Sequence, residues 1–244
     1  MTRADVTDRE RAHFDGMADQ ESLFWADRTP AGARRRELRA RWFVRAGHIG
    51  AGMRVLELGC GLGHMTRAIA GICEAEIVAM DLSPALIAAA SRDKPGRVEY
   101  RVGNVEQLEF PAETFDAVVG NAVLHHLRLA VAIPEIVRVL KPGGRLCFTE
   151  PNYLNPQVFV VLRSPALRRR VGASPDETAF LRWRLRRDLA RYELRDVDIR
   201  PFDFLHPAVP SALIDVAERT SALLERVPLA REFAGSLAIS ATKR

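Results

Sequence analysis

Between residues 54 and 150, short runs of Val, Ile and Leu alternate with longer stretches of helix-forming residues. Apolar runs of this kind are typical of parallel strands that are buried on both faces of a sheet. The helical stretches provide the crossovers that parallel neighbours require. The pattern predicts an α/β core of order β-α-β-α-β-x-β-α-β, with strands at residues 54–58, 76–80, 98–102, 115–120 and 145–149.

The sequence before this core predicts a cap, and the sequence after it predicts an insert. Residues 1–48 are expected to form one or two helices that cap a single domain of residues 49–244. Within that domain, an insert at about 152–194 is expected to be irregular over residues 153–173. Ser174-Pro175-Asp176-Glu177 then has the spacing of a capping box and predicts a helix or helix pair to about Tyr192.

Turn and capping residues predict the remaining boundaries. Lys141-Pro142-Gly143-Gly144 is expected to end a helix at residues 131–140 and to turn into the fifth strand. A sixth strand is expected at residues 196–204 and a last strand at 237–242. Between them, Ser211 is predicted to cap a helix that Pro228 ends.

Composition excludes several classes of protein. The chain has 244 residues, 48% of them apolar and 27% charged, which is ordinary for a globular fold and excludes disorder and fibrous architectures. No apolar run reaches the roughly 18 residues that a membrane span needs, and the N-terminal sequence is too charged for a secretory signal, so a cytoplasmic location is expected. The three cysteines have no metal or disulfide spacing; we expect them to be reduced, and we expect no metal site.

The net charge of +5 is concentrated in one segment. Residues 160–200 contain eleven arginines, no lysine and six acidic residues. A basic segment of this kind can meet nucleic acid, anionic lipid or an acidic substrate. It can equally be the solvated face of an arginine-rich helix.

A glycine turn follows the first predicted strand. Gly59, Gly61 and Gly63 let the backbone adopt positive φ angles and let a ligand approach main-chain atoms closely. The dinucleotide fingerprint G-x-G-x-x-G would need a glycine where His64 stands, which argues against a nicotinamide-dependent dehydrogenase. Asp81 ends the second strand, where its carboxylate can accept both ribose hydroxyls of an adenosine, or can simply precede an N-cap at Ser83.

Five motifs in order give the chain a family resemblance: VLELGCGLG (55–63), VAMDLS (78–83), GNVEQLEFPAETFDAVV (103–119), NAVLHHL (121–127) and VLKPGGRLCFTEPN (139–152). The chain resembles the class I S-adenosylmethionine (SAM)-dependent methyltransferases that act on small molecules, a group that includes ubiquinone and menaquinone methyltransferases. The resemblance implies a Rossmann-like fold with a seven-stranded, mostly parallel sheet, an antiparallel last strand and a helical N-terminal cap. It also implies SAM as cofactor and S-adenosylhomocysteine (SAH) as product.

The same resemblance implies a set of cofactor-binding residues. Glu57 and the three glycines would surround the methionine portion of SAM, and Asp81 would hold the ribose. Asn104 stands where the family commonly has an aspartate on the adenine amino group, so binding is expected to be weaker but present, because an amide oxygen also accepts a hydrogen bond. The implied set is Phe14, Glu57, Gly59, Cys60, Gly61, Gly63, Asp81, Leu82, Asn104, Val105 and Asn121.

Catalytic candidates lie past the fourth strand. His125 and His126 follow its carboxyl end, and the pKa of an imidazole suits proton removal at neutral pH. Successive side chains point in different directions, so only one is expected to face the ligand, and we favour His126. Some sugar O-methyltransferases that the chain resembles pair such a histidine with an acid at the end of the fifth strand, where Glu150 stands here. Alternatively, the histidines only line the pocket or cap the next helix.

These observations predict methyl transfer from SAM to an oxygen or nitrogen atom of a small-molecule acceptor. Methylation of a membrane lipid or quinone, with peripheral membrane contact through the basic insert, stays open, as does an RNA-binding or RNA-modifying role. No specific nucleic-acid partner is expected, because residues 121–124 read Asn-Ala-Val-Leu and lack the Asn-Pro-Pro-Tyr type of turn. A monomer or homodimer is expected.

Overall fold

The computed structural model describes residues 3–17, 28–174 and 177–244. The strands are β1 (Arg54–Leu58), β2 (Glu76–Asp81), β3 (Val98–Val102), β4 (Phe115–Asn121), β5 (Leu140–Pro151), β6 (Leu194–Phe202) and β7 (Ser236–Lys243). The helices are α1 (Arg3–Met17), α2 (Pro30–Ala46), α3 (His64–Ala70), α4 (Pro84–Ala90), α5 (Leu129–Val139), α6 (Pro156–Arg163), α7 (Pro165–Val171), α8 (Arg182–Leu189), α9 (Ile214–Leu224) and α10 (Pro228–Arg231).

One seven-stranded sheet, in the order β3-β2-β1-β4-β5-β7-β6, organises the chain. Strands β1 to β5 pair in parallel, and β7 runs antiparallel to both of its neighbours, β5 and β6. The predicted α/β, Rossmann-like architecture with an antiparallel last strand is therefore confirmed. The strand order reverses between β1 and β4, and the carboxyl ends of strands at such a switch point are where open α/β sheets bind ligands.

Alternate strand residues pack into two apolar layers, one on each face of the sheet. In β1, Leu56 and Leu58 belong to a layer that includes residues of α5 and α8. Val55 belongs to the opposite layer, with Phe43 of α2 and Ile69 of α3. Helix α2 of the predicted cap is therefore part of the core, since its Phe43 side chain is fully buried.

The start of α4 shows how local sequence sets an element. The Ser83 hydroxyl accepts a hydrogen bond from the Leu86 amide at 3.1 Å, and Pro84 occupies the first helical position, as predicted. All three cysteines are free, and Cys60 and Cys147 are buried. No helix among the described residues is long and apolar enough to cross a bilayer.

The insert differs most from its prediction. Residues 153–173 were expected to be irregular, but they contain α6 and α7. Asn155 caps α6 and Ser164 caps α7, each followed by a proline at the first helical position. The helix expected to begin at Ser174 begins instead at Arg182, although the Glu177 carboxylate does accept the Ser174 amide hydrogen bond at 3.1 Å.

Other boundaries move by a few residues. Strands β2 and β4 are each one residue longer than predicted, and β6 begins and ends two residues earlier. The Lys-Pro-Gly-Gly stretch lies within β5, with Gly143 at a φ of 76°. A short 3₁₀ turn at Ser211–Leu213 precedes α9, and Pro228 begins α10. Of the aromatic cap residues, Phe24 and Trp25 lie outside the described residues.

Candidate functional site

A cavity of about 390 Å³ opens at the carboxyl ends of β1, β2 and β4, beneath helix α1. Its size falls within the range of roughly 300–1,000 Å³ that is common for small-molecule sites. The residues predicted from sequence that line it are Phe14, Gly59, Cys60, Gly61, Asp81, Leu82, Val105, Asn121 and His126. The fold thus brings most of the predicted ligand-binding set to one place.

The glycine turn forms the floor of this cavity. Gly59, Gly61 and Gly63 all have positive φ angles, of 67°, 52° and 74°. A Cβ atom on Gly59 would lie 2.7 Å from the Val123 side chain, so a larger residue would push the turn out of place. The turn therefore needs glycine both for its backbone conformation and for its packing.

Asp81 holds the glycine turn in position. Its Oδ2 accepts a hydrogen bond from the Gly61 amide at 2.9 Å, and its Oδ1 accepts one from the Ser83 amide at 3.0 Å. Burial raises the pKa of Asp81, while the two backbone amides act in the opposite direction. A carboxylate has about four lone-pair sites, so Asp81 can accept further hydrogen bonds from a ligand.

Three of the predicted binding residues do not line the cavity. Gly63 instead caps the N-terminus of α3 through its backbone. The Asn104 Oδ1 accepts a hydrogen bond from the Glu106 amide at 2.9 Å. Glu57 lies fully buried in β1; burial, with a smaller contribution from Asp81, raises the pKa of Glu57 to about 7.

Helix α1 closes one side of the cavity. Phe14 lies edge-to-face against His126, with ring centroids 5.3 Å apart. Asp15, one residue on, accepts a hydrogen bond from the Ser83 hydroxyl at the start of α4. A negative charge there is favourable, because a helix N-terminus carries partial positive charge.

The two adjacent histidines have different surroundings. They lie in a 3₁₀ turn, Leu124–His126, that follows β4. The side chain of His125 is 2% exposed, and its Nδ1 lies 2.7 Å from Oε2 of the fully buried Glu150. Burial opposes charge on His125, but Glu150 outweighs it, so the pKa of His125 lies above its ordinary value.

His126 faces the cavity and has a different carboxylate partner. Its Nδ1 lies 3.0 Å from Oε2 of Glu10, a buried residue of α1. Burial opposes ionisation of Glu10, yet His126 outweighs it and holds the pKa of Glu10 below its usual value. The acid at the end of β5, Glu150, thus contacts His125, whereas the favoured histidine contacts Glu10.

Glu150 also supports the backbone of this turn. Its Oε1 accepts hydrogen bonds from the amides of Val123, at 3.0 Å, and Leu124, at 2.8 Å. Ala122, just before them, has a φ of 56°, which is unfavourable for a residue with a Cβ. The two amides and the His125 ring, all bonded to Glu150, therefore fix the turn that presents His126.

Sequence reasoning missed several residues of the site. Thr7 and Glu10 line the cavity together with Phe14, and their spacing of three and four residues would have placed them on one helix face. Arg36 also lines the cavity. Arg39 of α2 donates a hydrogen bond to Oδ1 of Asn121 at 2.8 Å and so fixes the end of β4. Because Arg39 pairs across the fold, no local pattern signals its role.

A second cavity of about 730 Å³ lies beside the edge strand β6, lined by residues of α2, α8 and α9. Arginines dominate its charged groups, and several are paired with acids: Asp203 Oδ2 lies 2.7 Å from both Arg35 and Arg39. Arg182 and Arg186, from the basic segment of the sequence, also line it. Arg39 connects this cavity to the Asn121 end of the first one.

Comparison with known proteins gives a match over the centre of the chain. Residues 56–148 match the family described as "Methyltransferase domain". A probable S-adenosylmethionine-dependent methyltransferase of Mycolicibacterium smegmatis is 36% identical over 45% of this chain and 42% of its own length. Trans-aconitate 2-methyltransferase of Methylobacterium nodulans is 36% identical over 54% of this chain and 49% of its own. The chain spans less than half the length of these curated relatives.

Solved structures show the same fold over nearly the whole chain. A putative methyltransferase in complex with the Trm112 methyltransferase activator of Haloferax volcanii has a TM-score of 0.68 at 21% identity, covering 94% of this chain and 97% of its own. A phosphoethanolamine N-methyltransferase of Haemonchus contortus in complex with S-adenosyl-L-methionine has a TM-score of 0.66 at 18% identity, covering 94% and 60%. At these identities the likeness concerns the fold.

Glu57 makes the stability of the protein depend on pH. Its folded-state pKa of about 7 lies above the ordinary 4.5, so the folded state keeps a proton that the unfolded chain releases. The contribution of Glu57 to the free energy of unfolding should therefore fall as pH rises from about 4.5 to about 7, by on the order of 3 kcal/mol.

Urea unfolding of the wild type and of Glu57→Gln at several pH values measures this contribution as the difference between the two proteins. The wild type should lose stability relative to the variant as pH rises through this window. A difference that stays constant, or that grows in favour of the wild type, would contradict the assignment.

Proposed function

Because residues 56–148 form a class I SAM-dependent methyltransferase domain, we propose that the protein transfers the methyl group of SAM to an oxygen or nitrogen atom of a small-molecule acceptor. The observation that carries the proposal is the pairing of the glycine turn with Asp81 in the wall of one cavity. The turn leaves room for close approach to the main chain, and the buried carboxylate has acceptor capacity to spare. These features fit an adenosine with two ribose hydroxyls.

The other cavity residues take the remaining parts of the cofactor in this proposal. Leu82 and Val105 provide apolar contact for the adenine, and Phe14 covers it from α1. Asn104 does not line the cavity in this structure, but it lies between the lining residues Gly103 and Val105, and we assign it to the adenine amino group through the lone pair of its Oδ1 that the Glu106 amide does not use. Asn121, which accepts a hydrogen bond from Arg39, lies at the end of the cavity where this proposal places the methyl group of SAM. Glu57 and Gly63 do not line the cavity, and in this proposal they support the residues that do.

SAM supplies an activated sulfonium methyl group, so the protein has to orient the acceptor behind that carbon and exclude water. His126 is the residue that we assign to removal of the acceptor's proton. With Glu10 opposite Nδ1, the neutral ring carries its proton on Nδ1 and leaves Nε2 to accept one. His125 and Glu150 are positioning residues in this proposal, because together they fix the turn that carries His126.

A lipid-like acceptor is a second candidate, favoured by the surface of the insert. Phe159 and Val160 of α6 are 39% and 52% exposed. The arginines of α7 follow in sequence, and apolar residues beside basic ones suit a membrane interface. One relative, the human mitochondrial ubiquinone biosynthesis O-methyltransferase, is 38% identical over 41% of this chain. Turnover that requires anionic vesicles would favour this acceptor class over a freely soluble one.

Replacement of Asp81 tests the cofactor site. Hydrogen bonds to a charged group are worth about 1.5–3 kcal/mol each, so Asp81→Ala should lower SAH affinity roughly 100-fold, as measured by titration calorimetry. Asp81→Asn, which keeps the shape of the side chain, should lose less. Asp93→Ala is the matched control, because that carboxylate is 87% exposed. Equal SAH affinity in all of these proteins, or preferential binding of NADH, would contradict the proposal.

Replacement of His126 tests proton removal. A general base contributes about 10²- to 10⁴-fold to a rate, so His126→Ala should lower kcat by that factor and leave SAH affinity nearly unchanged. The acceptor for this assay comes from a screen with methyl-labelled SAM. His206→Ala, which removes a histidine of the insert-facing surface, is the matched control. A normal kcat in His126→Ala would remove histidine from this role.

A further inference from the structure

Two histidines and a glutamate from two distant parts of the chain converge beside the cavity, and a second glutamate lies against one of the histidines. His125 and His126 follow β4, Glu177 comes from the insert, and Glu10 comes from α1. One potential ligand atom from each of His125, His126 and Glu177 lies within 4.8 Å of the others. The His125 Nε2 and the Glu177 Oε1 are 3.8 Å apart. The spacing of these residues along the sequence does not predict the cluster, because only the fold brings them together.

A buried polar contact beside this cluster is poorly satisfied. The Glu10 side chain is 7% exposed and its Oε2 lies 3.0 Å from Nδ1 of His126, but the two atoms are not aligned for a hydrogen bond. Poorly satisfied buried polar groups are costly, so a ligand on the His126 ring would be stabilising.

The distances within the cluster suit a shared ion. In a tetrahedral site, two donor atoms that each lie about 2.1 Å from the ion are separated by about 3.4 Å. The pair from His125 and Glu177 needs a contraction of less than 1 Å to reach this separation.

The partner of His125 orients that ring for coordination. Its Nδ1 lies 2.7 Å from Glu150, which leaves Nε2 as the nitrogen that faces Glu177. A carboxylate on the far nitrogen is the arrangement that most metal-binding histidines have, since it fixes the ring and raises its basicity. Glu150 is itself held by the amides of residues 123 and 124, so this support is rigid.

We propose that His125 Nε2, His126 and Glu177 form a binding site for one divalent transition-metal ion of the Zn²⁺ type. Two imidazoles and one carboxylate are a donor set that such ions prefer over Mg²⁺ or Ca²⁺. The ion joins the turn after β4 to the insert, and Glu10 of α1 lies beside His126 without being a ligand. The site departs from the expectation of no metal, which considered only spacing along the chain.

His126 cannot bind an ion and act as a base at the same time. This consequence rests on the proposed function, in which His126 removes the proton of the acceptor. An ion on Nδ1 leaves the proton of the neutral imidazole on Nε2, and an ion on Nε2 occupies that nitrogen directly. In either case Nε2 cannot accept a proton from the acceptor. Metal loading should therefore inhibit methyl transfer, and removal of the ion by a chelator should restore it.

Calorimetric titration of the chelator-treated full chain with Zn²⁺ tests the site, with the visible spectrum of bound Co²⁺ as a report on its ligands. We expect one site in the wild type. Glu177→Gln should weaken binding by at least about 10-fold, since even loss of a supporting group around a metal costs 10- to 100-fold. Glu109→Gln, an exposed residue away from the cluster, should bind like the wild type.

Absence of Zn²⁺ binding, or binding that Glu177→Gln does not weaken, would overturn the proposal. Zn²⁺ binding that His126→Ala does not weaken would overturn the assignment of His126 as a ligand. SAH binding by the same samples shows that the variants are folded. It also separates the two proposals. SAH binding without Zn²⁺ binding refutes only the metal site, and Zn²⁺ binding without SAH binding refutes only the cofactor assignment.

Discussion

The Asp81 carboxylate joins the parts of the structure on which the cavity depends. One oxygen holds the glycine turn after β1, and the other holds the first residues after β2. Ser83, fixed in this way, caps α4 and donates its hydroxyl hydrogen to Asp15 of α1. A single buried group therefore couples the floor of the cavity, one of its walls and the helix that covers it.

Glu150 has the corresponding role on the other side of β1. It binds the backbone of the turn after β4 and the ring of His125, and the strained φ of Ala122 is tolerated because these bonds hold it. The result is a rigid turn that presents His126 to the cavity. Two buried carboxylates, each hydrogen-bonded mainly to backbone amides, thus position side chains at the ends of strands on either side of β1.

Much of this architecture follows from sequence because its causes are local. Apolar runs predict the strands, and Ser83-Pro84 predicts the start of α4. The same type of signal, Asn155-Pro156 and Ser164-Pro165, begins α6 and α7, but it was not used to predict them. The partners of the site residues could not be predicted in this way. Glu10 reaches His126, and Arg39 reaches Asn121, only after the sheet has formed.

Hydrogen–deuterium exchange with and without SAH tests the central claim most directly, because it locates the ligand along the chain without any substitution. The account predicts slower exchange in residues 59–63, 81–83, 103–106 and 121–126, together with the part of α1 that covers the cavity, Thr7 to Phe14. Protection confined to residues 198–203 and 218–225, which line the arginine-rich cavity, would contradict it, as would no protection at all with saturating SAH.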